Sequence, residues 1–121
     1  MTCKIDTNWS YNGMRTVILE NEMLRLAVLA DSGARIIEFL YKPSYRQFLW
    51  EKPRGTHERP IYGAPLEAYW GGGWDDAIPT VHPCVYEGVS YPDLGEVCAL
   101  PWKFSIVKEE PNEVAVHLWV S

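Results

Sequence analysis

Leu24, Leu26, Val28 and Ala30 alternate with Arg25, Ala27 and Leu29, and Val114, Val116, Leu118 and Val120 alternate with Ala115, His117 and Trp119. A period of two puts successive side chains on opposite faces of an extended chain, so both runs predict strands. Residues 16–20, 34–41, 47–50, 96–100 and 103–108 are further strand candidates. Turn formers separate them: Asn12-Gly13, Asn21, Asp31-Ser32-Gly33, Lys42-Pro43-Ser44 and Pro111-Asn112. No long helical period competes, and the one short candidate, residues 65–69, reads equally well as a turn. The expected fold class is all-β.

Between the two β-rich ends, residues 51–95 hold seven of the nine glycines and six of the nine prolines. So long a departure from strand rhythm inside one domain marks a functional or disordered loop, and its tryptophans and tyrosines favour order. Trp70-Gly-Gly-Gly-Trp-Asp-Asp76 is followed by Pro79-Thr-Val-His-Pro-Cys84, Tyr91-Pro-Asp-Leu-Gly-Glu-Val97 and Leu100-Pro-Trp102. Glycine lets a ligand approach the backbone, flat aromatic faces cover the C–H side of a sugar ring, and carboxylates accept hydroxyl hydrogen bonds. A monosaccharide or glycan is the expected partner.

With 121 residues, 47% of them hydrophobic, the chain is read as a single domain spanning residues 1–121. Its formal net charge of -5 and its lack of a basic stripe argue against nucleic acid, which requires clustered Lys and Arg. No run approaches the roughly 18 apolar residues needed to span a bilayer, and the opening segment has no apolar signal core. A cytoplasmic location with no membrane association is expected. Cys3, Cys84 and Cys98 are odd in number and widely spaced, which suits free thiols rather than a disulfide framework. His82, Cys84 and Cys98 match no common zinc spacing and read as a histidine beside two small buried thiols, so neither metal nor cofactor is expected.

Residues 17–39, with Gly33-Ala-Arg-Ile36 at their centre, resemble the opening of the galactose mutarotase-like (aldose 1-epimerase) superfamily. Gly72-Gly-Trp-Asp75, Pro79-Thr80 and Pro92-Asp-Leu-Gly-Glu96 resemble its sugar-processing and uncharacterised branches, so the likeness covers residues 15–120. It implies an antiparallel β-sandwich, the galactose mutarotase-like supersandwich, more than twice as long as this chain. The chain is then expected to be its amino-terminal part, and a strand pattern running up to Ser121 leaves unpaired strands open to self-association. The resemblance also implies interconversion of sugar anomers by general acid/base catalysis, a carboxylate taking the anomeric proton and a histidine serving the ring oxygen. One departure bears on this: Leu94 stands where active members often carry a histidine, and leucine transfers no proton.

Individual residues then acquire expected roles. Trp74, with Trp70, could wall a sugar site or belong to the core, and Trp102 is expected in the core. Asp75 and Asp76 accept sugar hydroxyls or cap a turn. His82 is the best-placed titratable group of the segment and the candidate acid or base, against the alternative of a ring nitrogen satisfied by a loop carbonyl. Asp93 and Glu96 match the family element for hydroxyl binding or for ordering the cleft; their alternatives are a turn aspartate and a strand-edge glutamate. Arg35, and Arg46 at a cleft mouth, could donate to sugar oxygens, with surface ion pairing as the other fate. His57 is expected to be solvated, and His117 to face away from its strand's apolar set. The leading expectation is a carbohydrate-active, aldose 1-epimerase-like protein; the alternatives are a noncatalytic carbohydrate-binding module and an inactive truncated β domain.

Overall fold

A computed structural model describes residues 2–121. Five strands form one antiparallel sheet in sequence order: β1 (Lys4–Tyr11), β2 (Met14–Glu20), β3 (Leu24–Leu29), β4 (Arg35–Tyr41) and β5 (Arg46–Gln47). Two antiparallel hairpins follow, β6 (Cys84–Tyr86) with β7 (Val89–Tyr91) and β8 (Lys103–Glu110) with β9 (Glu113–Trp119). The chain is all-β, and among the described residues its only helical pieces are the 3-10 turns Lys42–Ser44, Leu66–Ala68 and Val97–Ala99. Among the described residues, no helix is long and apolar enough to cross a membrane.

The turns follow from their residues. Asn12 and Gly13 both have positive φ, at 49° and 76°, as the tight two-residue hairpin between β1 and β2 requires. The side chain of Asn21 accepts from the backbone N–H groups of Met23 and Leu24, both at 2.8 Å, and so turns the chain from β2 into β3.

Register defines the two faces of the sheet. Thr16 lies opposite Leu29, Ile18 opposite Ala27, and Ala27 opposite Glu38, so these residues share one face. Val17 lies opposite Val28, and Leu19 opposite Leu26, on the other. Bulges between Asp6 and Trp9 in β1, and at Ala27/Val28 against β4, re-aim the side chains beyond them. The first brings Trp9 and Tyr11 opposite Thr16 and Met14, on the face of Glu38. The buried core centres on β2 and β3, with Met14, Val17, Ile18, Ala27, Val28 and Leu29. Tyr69, Cys98 and Ala99 extend it from the later loops.

Three expectations are corrected here. Residues 96–100 do not form a strand: Val97–Ala99 is a 3-10 turn that buries Cys98 and Ala99, with Cys98 backed against Gly33. The strand expected over residues 47–50 stops at Gln47, because the Gln47 side-chain oxygen takes the backbone N–H groups of Phe39 and Leu49 at 2.8 and 3.2 Å. Further along β4, Ile36 pairs instead with Trp74. Of the two cysteines read as buried, only Cys98 is; Cys84 is exposed on β6.

Candidate functional site

The glycine-rich segment folds as a strap docked by its backbone. Gly73 N–H donates to the Trp50 carbonyl at 2.9 Å, and Trp74 and Ile36 exchange hydrogen bonds at 2.9 and 3.1 Å. Glycine is required by approach as well as by dihedral: Gly72 has φ 107°, and a Cβ there would run into the Trp50 carbonyl oxygen. The strap stacks the Trp70 indole on that of Trp50, with centroids 5.4 Å apart.

Asp75 sits at its end with both oxygens engaged. Arg35 Nε donates to Oδ1, and Trp70 Nε1 donates to Oδ2 at 2.8 Å. Arg35 is fully buried, so its ion pair is internal and not the surface pair weighed from sequence. Its guanidinium carbon lies 5.6 Å from the centre of the Tyr69 ring. The Tyr69 hydroxyl is 3.5 Å from Cys98 Sγ, and burial together with that contact raises the phenol well above its ordinary pKa. Arg35 Nη1 and Nη2 are buried without hydrogen-bond partners among the described residues.

The other sequence candidates lie apart from this knot. Asp76 and His82 are exposed, and Trp74 leaves 57% of its surface free while its backbone pairs with Ile36. Asp93 Oδ2 accepts from Leu66 N–H at 3.0 Å, which ties it to the start of the Leu66–Ala68 3-10 turn twenty-seven residues earlier. Glu96 donates its backbone N–H to Ile78 O at 2.7 Å. Leu94, between Asp93 and Glu96, has φ 58°. Arg46 lies over the Phe48 ring at 5.4 Å, His117 is exposed and stacked on Trp119, and Trp102 is half-buried with Nε1 donating to Val97 O. Among the described residues, no three His, Cys, Asp or Glu side chains gather as a metal site.

A cleft of about 430 Å3 opens elsewhere, over the sheet face that carries Thr16, Ile18 and Ala27. Trp9 and Tyr11 form one side, Arg25 and Glu38 the floor, and Glu51, Lys52, Arg54 and His57 the overhanging loop. None of the seven binding residues inferred from sequence lines it. Arg25 Nε lies 2.9 Å from Glu38 Oε1, close as an ion pair yet misaligned as a hydrogen bond. The Arg25 guanidinium also lies 5.5 Å from the Trp9 ring centre, while half of the Trp9 surface remains free.

His57 is buried, which corrects the expectation of a solvated loop histidine. Tyr11 packs against it edge to face at 5.6 Å, its backbone N–H donates to Tyr11 Oη at 3.3 Å, and its carbonyl accepts from Asn12 Nδ2 at 2.9 Å. Desolvation, and then the nearby positive Arg35, hold its imidazole below the ordinary histidine pKa. Its Nδ1 is buried and has no hydrogen-bond partner among the described residues. The sequence carried a signal for this wall: Thr7, Trp9 and Tyr11 alternate with Asn8 and Ser10 in strand period.

No protein-family model matches the chain, and comparison with curated proteins and with solved structures likewise gave no match.

Proposed function

We propose that this chain binds a carbohydrate in the cleft over the β1–β4 face, and that the five-stranded sheet is one layer of a galactose mutarotase-like β-sandwich. The observation that carries the binding reading is the composition of one cavity. An indole and a phenol stand over a floor of arginine and glutamate, with a second glutamate, a lysine and an arginine overhead. An apolar ring face grips the C–H side of a pyranose, while carboxylates and guanidinium groups pair with its hydroxyls as acceptors and donors. The volume of about 430 Å3 falls within the range of small-ligand sites. The sandwich reading rests on the order of the Gly33-Ala-Arg-Ile, Gly-Gly-Trp-Asp and Pro-Asp-x-Gly-Glu elements.

The glycine strap then acts as support. Asp75 and Arg35 fix the loop whose neighbouring turns carry Glu51 and His57 into the cleft. Chemical-shift titration with a panel of neutral and anionic monosaccharides tests the proposal. Shifts confined to Trp9, Tyr11 and the 51–57 loop support it, and an unchanged spectrum across the panel refutes it.

Interconversion of anomers is a second reading, favoured by His57. Its imidazole is held toward the neutral form, a neutral imidazole can accept a proton, and the residue lines the same cleft as Glu38 and Glu51. Polarimetry separates the two readings: accelerated mutarotation that His57→Asn abolishes without loss of affinity supports catalysis, and binding without acceleration supports a noncatalytic module.

A further inference from the structure

The cleft over the β1–β4 face carries charge of the opposite sign to the chain around it. Arg25, Lys52 and Arg54 line it against Glu38 and Glu51, one cation in excess, in a chain whose formal net charge is -5. His57, held toward its neutral form by burial, adds no charge at neutral pH. The excess is concentrated in one place. On the floor, Arg25 is engaged by Glu38 at 2.9 Å and by the Trp9 ring. On the overhang, neither Lys52 nor Arg54 is ion-paired among the described residues. The acid beside them, Glu51, accepts from the neutral side chain of Gln47 at 3.3 Å.

The backbone brings the two cations to the same rim. Gly55 N–H donates to the Lys52 carbonyl at 2.9 Å, which closes a turn over Pro53 and Arg54. Arg54 has φ 57° there, a left-handed conformation that favours glycine, so a guanidinium is carried at this position at a conformational cost. The Lys52 stem lies across Gly55, where an added Cβ would stand 2.9 Å from the lysine Cβ and Cγ. Both residues are exposed, so they keep their charge and stay open to a ligand.

A neutral pyranose would use the free surface of Trp9 and the hydroxyl partners on the floor, and would bring nothing of opposite charge to the rim. An exocyclic carboxylate or phosphate on the same ring supplies it, accepting charge-assisted hydrogen bonds from an ammonium and a guanidinium. Resting on the carbohydrate reading of this cleft, we propose that its ligand is an anionic sugar, a pyranose whose carboxylate or phosphate is held by Lys52 and Arg54 while its ring lies against Trp9. In an otherwise acidic chain the same two cations direct an anion to the cleft mouth.

Isothermal titration with matched sugars tests it: glucose, galactose and mannose, each beside its uronate and its 6-phosphate, with inorganic phosphate alone. The expected result is that an anionic member of at least one series binds at least about tenfold tighter than its neutral parent at low ionic strength. Added salt should shrink that advantage, and Lys52→Gln with Arg54→Gln should bring the ratio close to one, with far-UV circular dichroism unchanged. The uronate and 6-phosphate arms identify which anion the rim takes. Equal affinity for neutral and anionic sugars overturns the proposal and leaves the carbohydrate reading standing. A preference that survives added salt and the double substitution overturns it too, as does inorganic phosphate binding as tightly as the sugar phosphates. Binding of none of the sugars refutes the carbohydrate reading itself, and this proposal with it.

Discussion

Arg35 and Asp75 are forty residues apart in sequence, yet Arg35 Nε donates to Asp75 Oδ1 with the arginine entirely enclosed. The pair ties β4 to the end of the glycine strap, and Trp70 closes it from the other oxygen. A buried charge is tolerable only while its counter-charge is present.

Asp75→Ala therefore leaves a guanidinium uncompensated, and should cost about 3–5 kcal/mol of unfolding free energy by urea titration. Removing both charges with Arg35→Met and Asp75→Leu should restore much of that loss, giving a large coupling in a double-mutant cycle. Asp76→Ala, one residue on and exposed, should stay within about 0.5 kcal/mol.

Stability should fall on mild acidification because of His57. The folded-state pKa lies below the ordinary 6.5, so the unfolded chain takes up the proton first. The stabilisation is complete above about 6.5 and is lost as pH falls from there through the folded value. Burial sets most of the shift; Arg35 adds to it by opposing protonation, and Asp75 and Glu51 work against it. Urea midpoints between pH 7.5 and pH 5 should decline for the unaltered chain, and His57→Asn should flatten that decline.

Gly72 and Gly88 separate strain from collision. Both have positive φ, 107° and 77°, but a Cβ on Gly88 meets nothing within 4 Å, whereas on Gly72 it meets the Trp50 carbonyl. Gly88→Ala should cost about 1 kcal/mol, the penalty of a left-handed residue. Gly72→Ala should cost at least about twice that, and thermal melts of the two variants compare them directly.

The strands with clean alternation are legible in the sequence: β2, β3, β4, β8 and β9 fall where period two and turn residues put them. β6 and β7 are not, because three residues make no measurable period and their turn is Glu87-Gly88, with φ 49° and 77°, in place of the usual Asn-Gly. In β1, Ile5, Thr7, Trp9 and Tyr11 keep period two in the sequence, but the bulge between Asp6 and Trp9 decides which face each takes, and no sequence pattern announces it. The chemical character of residues 70–76 was legible, but its use was not. Sequence adjacency could not reveal that Asp75 spends both oxygens on Arg35 and Trp70. Nor could it show that Arg25 and Glu38, on different strands, meet beneath Trp9, since that depends on register and on the bulge in β4. His57 misled for a related reason: its charged neighbours Arg54, Glu58 and Arg59 face solvent, while its own ring turns inward onto Tyr11.

Isothermal titration with the monosaccharide that shifts the spectrum most, applied to the unaltered chain, Trp9→Ala and Trp74→Ala, tests the central claim most directly. The cleft reading predicts that Trp9→Ala loses affinity at least about tenfold, the loss of roughly 1.4 kcal/mol of ring contact, while Trp74→Ala binds as before. Unchanged affinity in Trp9→Ala together with loss in Trp74→Ala would contradict it and return the site to the glycine-rich strap.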